Sequence, residues 1–183
     1  ALRERRPGIK CSVRLALIHE VLEDLEDFRA DIGLVGRDCA SETIHSVFYN
    51  QHKIYVVVNR KHRLAGRRTV RMKELAGEQM IIRSTSSTTQ EAFDKAAHEA
   101  NIVIEPVFEI ESREGLREAI VRGLGIGVIS ETEFAPHPDL HPLTVSDAKM
   151  HTRAYIACLK SRRNRPLIKE FLSLADTIVT ARK

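Results

Sequence analysis

The sequence predicts an α/β fold in two lobes. Short apolar stretches alternate with segments whose apolar residues recur at helical spacing, and this alternation favours helices layered on sheets with mostly parallel strand pairing. A polar run, Arg-Lys-His-Arg-Leu-Ala-Gly-Arg-Arg at residues 60–68, breaks the alternation, and we expect a return near residue 160. Residues 61–160 are therefore expected to form lobe II, inserted between the two parts of lobe I, residues 1–60 and 161–183.

The elements of lobe I follow from local apolar periodicity. We expect a helix end stopped by Pro7-Gly8, a helix with Val21, Leu22, Leu25 and Phe28 on one face, strands over 11–18, 31–35, 44–49 and 54–58, and a final helix from Pro166. The strand over 54–58 consists almost only of β-branched and aromatic residues, so we expect it to be buried on both faces.

The elements of lobe II are marked mainly by caps and glycines. We expect a short helix from Thr69 to Gly77, helices beginning after Thr88 and Ser112, and strands over 79–82, 103–110, 124–129 and 152–159. Thr88 and Glu91 have the spacing of a capping box, in which each side chain accepts a hydrogen bond from the other residue's backbone N–H. Prolines make residues 134–143 a loop.

The stretch from Glu111 to Ser130 organises lobe II. Ser112 can cap a helix that ends at Gly123, because a left-handed residue after the last turn costs glycine nothing. Gly125 and Gly127 then suit a buried strand that another backbone approaches closely. A phosphate-binding glycine turn leaves a strand and opens a helix, whereas these glycines close a helix and open a strand, so we predict no dinucleotide site.

The most informative polar feature is a row of six consecutive hydroxyl residues, 84–89, directly after Arg83. The row lies between a strand end and a helix start, where free N–H groups and the helix dipole favour an anion. Arg83 can add charge-assisted hydrogen bonds to a carboxylate, sulfate or phosphoryl group. The alternative is a loop whose hydroxyls only cap and turn, since one or two of them suffice for that. Both interpretations stay open from the residues alone.

Composition narrows the class of protein. The chain has 183 residues, 43% of them hydrophobic and 30% charged, with a net charge of +4, as in soluble globular domains. No apolar stretch approaches the roughly 20 residues that span a bilayer. Three cysteines without a Cys-x-x-Cys spacing favour a reducing compartment. We expect Cys11 and Cys158 to pack as small hydrophobes, whereas Cys39, in a polar loop, could be reactive.

Catalytic and metal-binding patterns are absent from the sequence. It has no Gly-x-Ser-x-Gly elbow, no metalloprotease histidine pair and no P-loop. Pro138 lies between His137 and His141 and prevents a regular helix that would carry both as zinc ligands. We therefore expect no catalytic residue, no metal and no cofactor.

Five landmarks follow one another along nearly the whole chain: Ala30-Asp31-Ile32-Gly33-Leu34-Val35, Lys61-His62-Arg63-Leu64-Ala65, Leu75-Ala76-Gly77 before the hydroxyl row, Gly123-Leu124-Gly125-Ile126-Gly127 after the Glu111-Ser112 helix start, and Arg165-Pro166. Their order and spacing resemble the effector-binding domain of LysR-type transcriptional regulators.

The resemblance implies a two-lobed fold like that of type 2 periplasmic binding proteins, with mixed sheets, helices on both faces and the N-terminal part of lobe I missing. It implies a cytoplasmic sensor domain, not an enzyme. A small effector would bind in the cleft between the lobes, and the resulting rearrangement would reach a winged helix-turn-helix that is absent from this chain. DNA contact is then expected only through that absent domain, in a homodimer or tetramer, with no membrane partner.

The site residues implied by position are Arg83, Ser84, Thr85, Ser86, Thr88, Ser112, Arg113, Gly36 and Arg37. Hydroxyls, helix starts and arginines outnumber carboxylates among them, so we expect an anionic effector: a carboxylate, a sulfate, or a phosphate- or phosphonate-like group. A solute-binding protein of a transport system shares the fold and is the alternative. The unpaired cysteines and the lack of an export signal count against it.

Overall fold

The structure is a computed structural model that describes residues 2–84 and 87–180. The chain forms two compact units, one from Ala1–Gln51 with Arg153–Lys183 (unit 1) and one from His52–Thr152 (unit 2). The lobe boundaries predicted from the sequence, after residues 60 and 160, lie nine residues (60 against 51) and eight residues (160 against 152) further along the chain. Those boundaries stay a prediction.

Helices and strands alternate along most of the chain. In chain order they are α1 (Leu2–Arg5), α2 (Ile18–Glu26), β1 (Gly33–Val35), β2 (Ile44–Asn59), β3 (Thr69–Val70), a 3-10 helix (Met72–Leu75), β4 (Met80–Ile82), α3 (Thr88–Glu99), β5 (Pro106–Glu109), α4 (Arg113–Val121), β6 (Gly127–Ser130), β7 (Leu140–Val145), β8 (His151–Leu159) and α5 (Pro166–Thr180). The final helix starts at Pro166, as predicted.

Unit 1 has its core where α2 packs against β1 and β8. The two strands are antiparallel, with Leu34 opposite Ile156. Leu25 of α2 is fully buried beside Val35. An added Cβ at Gly33 would lie 2.6 Å from Val21 Cγ1, so the glycine lets the helix lie close to the strand.

The strand predicted over residues 11–18 is wrong. The segment before Ile18 is irregular, and Val13 and Leu15 are 92% and 87% exposed. Alternating apolar residues make a strand only where a neighbouring strand accepts the backbone hydrogen bonds. No strand pair among the described residues includes this segment. For the same reason Cys11 is exposed instead of packing as a small hydrophobe, whereas Cys158 is buried as predicted.

Unit 2 is built around the second half of β2. This stretch pairs antiparallel with β6 along one edge, with Val56 opposite Val128, and with β7 along the other, with Val57 opposite Pro142. Val56, Val57 and Val58 have no exposed surface, which confirms the prediction of a strand buried on both faces. The third partner of this sheet, β3, runs parallel to β7.

Helices α3 and α4 cover opposite faces of this sheet. Side chains alternate between the faces of a strand, and Val56 and Val58 pack in the core with Phe93 of α3 while Val57 packs in the core with Ile120 of α4. Both helices are therefore amphipathic for the same reason: each covers one side of β2 and β6.

The prediction of mostly parallel pairing is wrong. Parallel pairing does hold where helices connect strands, as in β4 with β5 and in the bridge between Met80 and Ile126. However, β1–β8, β2–β6 and β2–β7 are antiparallel. The alternation of elements is typical of crossovers but does not give the direction of a long strand such as β2.

Three further predictions of elements are corrected. The segments 44–49 and 54–58 belong to one strand, β2. Thr69 lies in β3 and caps no helix; the 3-10 helix that follows has Arg71 at its N-cap. The predicted loop over 134–143 ends at β7, which holds Pro142. Proline fits there because β7 pairs with β2 at this position, whereas its pairing with β3 covers only Thr144 and Val145, so one side of Pro142 is a strand edge.

Candidate functional site

The junction between β4 and α3 carries the first group of predicted site residues. Ser87 is the N-cap of α3, and its Oγ accepts a hydrogen bond of 3.3 Å from the backbone N of Gln90. The predicted cap, Thr88, is instead the first helical residue. The backbone N of Ser87 also donates to the carbonyl of Ser84 at 3.0 Å. Thr85 and Ser86 lie outside the described residues.

Gln90 anchors this junction from inside the core. It is 2% exposed, its Oε1 accepts from the backbone N of Arg83 at 3.2 Å, and its Nε2 donates to Asp94 Oδ1 at 2.8 Å. Both ends of the amide are satisfied, as a buried polar group requires. The sequence analysis missed Gln90. Its position three residues before the buried Phe93, on the apolar face of α3, was the available signal.

Arg83 connects the start of α3 to the start of α4. Its guanidinium donates to the carbonyl of Glu111 from Nη2 at 3.1 Å and from Nε at 3.3 Å. Glu111 directly precedes Ser112, whose Oγ accepts from the backbone N of Gly115 at 2.9 Å and caps α4 as predicted. Arg83 thus brings two predicted parts of the site, 83–88 and 112–113, into one arrangement within unit 2.

One arginine and two glutamates act on the charge of Arg83. Burial lowers the pKa of the Arg83 guanidinium, and the nearby charge of Arg113 lowers it further, while Glu133 and Glu114 raise it. Arg113 is held by an ion pair to Glu133 at 2.9 Å. A partly buried arginine beside a second arginine gains from any anion that approaches it, because the anion offsets both desolvation and repulsion.

Gly36 and Arg37 belong to unit 1, where they directly follow β1. Their membership of the same ligand site as Arg83 stays a prediction. The Sγ of the nearby Cys39 donates to the carbonyl of Arg37 at 3.4 Å. Burial raises the pKa of the Cys39 thiol more than the charge of Arg37 lowers it. A raised pKa reduces the thiolate fraction, so a reactive Cys39 is disfavoured.

His137 and His141 have separate hydrogen bonds. His137 Nδ1 accepts from the backbone N of Asp139 at 3.1 Å, and His141 Nε2 lies 2.6 Å from the carbonyl of Arg67. Within residues 2–84 and 87–180, no group of three or more histidine, cysteine or acidic side chains could hold a metal ion. No helix in the same ranges is both long and apolar enough to cross a bilayer.

A cavity of about 380 Å³ lies beside α4, and every residue that lines it belongs to unit 2. Its apolar walls include Leu116, Ile129, Phe134 and Leu140. Arg83, Arg113 and Arg117 line it together with Glu114 and Glu133. The cavity therefore combines apolar and charged side chains, the combination typical of sites for small organic ligands.

Comparison with known proteins identifies the class. The family model described as the LysR substrate binding domain matches residues 1–177. The chain belongs to this family. Within LysR-type regulators this is the ligand-binding regulatory domain, which agrees with the resemblance of the sequence landmarks.

Individual proteins show similarity along the same range. The transcriptional activator CmpR of Synechocystis sp. is 25% identical over 173 residues, which make up 93% of this chain and 57% of that protein. The chain spans about half the length of the curated relatives it matches. Two solved structures share the fold. The Synechocystis CcmR regulatory domain in complex with 2-PG has a TM-score of 0.82 and 21% sequence identity, and the match covers 97% of this chain and 86% of that one. The BenM effector-binding domain with its effector benzoate has a TM-score of 0.86 and 16% sequence identity, and the match covers 99% of this chain and 83% of that one.

Proposed function

We propose that the chain is the part of a LysR-type transcriptional regulator that senses a small anionic effector. In the longer protein, a dimer or tetramer in the cytoplasm, effector binding would change how the units or subunits pack. That change would reach an N-terminal winged helix-turn-helix, which contacts DNA. The domain itself performs no reaction.

The observation that carries the proposal is the position of Arg83. Its guanidinium donates to the carbonyl of Glu111, just before α4, and its backbone N donates to the side chain of Gln90 in α3. Each helix start offers N–H groups and the positive end of a dipole. An anion at this junction would meet one fixed cation and two dipoles. An uncharged ligand would gain much less.

The proposed contacts differ in strength. Arg83 and Arg113 would supply charge-assisted hydrogen bonds, whereas Ser84, Thr88 and Ser112 would supply hydroxyls that fix orientation. Thr85 and Ser86 are proposed from their sequence position alone. Gly36 and Arg37, which belong to unit 1, are likewise proposed from their sequence position alone. The two solved structures named above each hold a small molecule, which supports a ligand role without fixing its chemistry here.

A thermal-shift screen of the 183-residue chain tests the proposal. The library contains small carboxylates, sulfates and phosphonates, each paired with a neutral amide, alcohol or ester of the same shape. A ligand at 100 times its Kd adds about 2.7 kcal/mol of stability, which raises the midpoint by roughly 5–11 °C for a chain of this size. We expect at least one acid, and not its neutral partner, to give such a shift. A screen in which neutral partners shift the midpoint as much as the acids would contradict the anionic assignment.

A further inference from the structure

The charged side chains that line the cavity beside α4 do not balance. Three arginines and two glutamates line the cavity, an excess of one positive charge. Arg113 is paired with Glu133, and Arg83 donates to the carbonyl of Glu111. Arg117 takes part in neither interaction.

Arg117 also carries an unsatisfied donor. Its Nε is the only buried side-chain nitrogen or oxygen without a hydrogen-bond partner among the residues that the structure describes. Burying such a donor unpaired is unfavourable, and more so for a charged group, because the hydrogen bonds it made to water are lost. A small rotation of the side chain toward an acceptor in the cavity would recover part of that cost.

The apolar walls of the cavity are already in place. Leu116, Ile129 and Leu140 belong to the core and are at most 6% exposed. Phe134 is held by an edge-to-face contact with Tyr55, with ring centroids 5.9 Å apart and planes at 76°. Small-molecule pockets range over about 300–1,000 Å³, so a cavity of about 380 Å³ suits a single ring or a short chain.

We propose that this cavity binds a small monocarboxylate with an apolar body, the carboxylate at Arg117 and the body against Phe134 and Leu140. A single positive excess balances one carboxylate; a dianion would be left partly uncompensated beside Glu114 and Glu133. The cavity shares Arg83 and Arg113 with the effector site proposed above, but its anion partner is a different residue, Arg117, which lies one helical turn past Arg113.

Titration of the 183-residue chain with phenylacetate, phenylacetamide and sulfate tests the assignment. Calorimetry gives the affinities, and amide chemical shifts of the 15N-labelled chain locate the ligand. We expect saturable binding of phenylacetate with shifts on α4 and over residues 128–135. Phenylacetamide and sulfate should bind at least tenfold more weakly, because each lacks either the charge or the apolar body (about 1.4 kcal/mol per tenfold).

Three variants in and directly after α4 separate binding in the cavity from a general effect of surface charge. Arg117→Gln should weaken phenylacetate binding about tenfold, since it removes a charge-assisted hydrogen bond. The matched control is Arg122→Gln, at an exposed arginine that caps the C-terminal end of α4 and is ion-paired to Glu118 at 2.7 Å, and it should leave the affinity within about twofold. Arg117→Lys keeps the positive charge, so it should weaken phenylacetate binding less than Arg117→Gln does. The thermal midpoint of each variant shows whether it is folded.

Three outcomes would overturn the proposal. One is phenylacetamide binding as tightly as phenylacetate. Another is an equal loss in Arg117→Gln and Arg122→Gln. The third is a loss of phenylacetate binding in the double variant S84A/T88A that exceeds the loss in Arg117→Gln, which would place the ligand at the junction of α3. None of these results contradicts the effector site proposed at Arg83, and the third would support it.

Discussion

Replacing Gly125 by alanine should strongly destabilise unit 2. Gly125 precedes β6, and an added Cβ would lie 2.9 Å from Ile81 Cγ1 and closer still to the carbonyl oxygen of Gln79. That carbonyl accepts the backbone hydrogen bond of Ile126 at 2.8 Å. A side chain could turn away, but a backbone oxygen moves only with β4. Overpacking costs about 1–3 kcal/mol, and weakening a buried hydrogen bond adds about 1 kcal/mol. We expect a loss of about 3 kcal/mol in the free energy of unfolding.

Two other glycines of unit 2 serve as controls in urea denaturation followed by circular dichroism. Gly66 has no atom within 4 Å of an added Cβ, so Gly66→Ala should change stability by less than about 0.5 kcal/mol. Gly123 has equally open space but a φ of +73°, so Gly123→Ala should cost about 1–2 kcal/mol from backbone strain alone. If Gly125→Ala proved as stable as Gly66→Ala, the close backbone approach would be wrong as the reason for the glycine.

Two further predictions concern stability. Ser87→Ala removes the N-cap of α3 and should lower the free energy of unfolding by about 1 kcal/mol. Thr88→Ala, inside the helix, should lower it clearly less in the same urea titration. Equal losses of free energy in the two variants would indicate that Thr88 is the cap. Hydrogen bonding to Arg29 lowers the pKa of the mostly buried Asp24, so its stabilisation is present above the ordinary carboxyl pKa of about 3.9 and is lost as pH falls through the lower folded value. Asp24→Asn should therefore flatten the fall in stability below about pH 4, and an unchanged pH profile would refute this.

Local signals in the sequence predicted the elements that depend on local chemistry. Ser112 caps α4, Gly123 ends it with a positive φ, and Pro166 starts the last helix. Each of these depends on one residue's hydrogen bonding or allowed dihedral angles. The fold class follows as well, because the amphipathic spacing of α3 and α4 requires a sheet to cover.

The predictions that failed concern features that depend on partners distant in the chain. Val13 and Leu15 alternate with polar residues as in a strand, but they are exposed and have no neighbouring strand in the described part of the chain. Proline usually ends a strand, yet Pro142 lies inside β7, opposite Val57 of β2. Strand direction failed for the same reason: β2 meets β6 and β7 only after long intervening segments.

The candidate site was predictable in outline only. Arg83 and Ser112 were recognised separately from their positions at strand ends, but the hydrogen bond from Arg83 to Glu111 joins segments 28 residues apart. The role of Gln90 depends on its burial, and that of Arg117 on a cavity formed by α4 and residues 128–140. Such convergence is a property of packing and leaves no pattern in the sequence.

Isothermal titration of the strongest acid from the screen, with the unmodified chain and with Arg83→Gln, tests the central claim most directly. Arg83→Gln removes the guanidinium that donates to the carbonyl of Glu111 before α4, so we expect the affinity to fall about 10- to 100-fold, while Arg122→Gln at the exposed end of α4 leaves it within about twofold. The affinity should fall less in the double variant S84A/T88A than in Arg83→Gln, because a neutral hydroxyl contributes less to binding an anion than a charged group does. Full retention of affinity in Arg83→Gln would contradict an anion site at this junction.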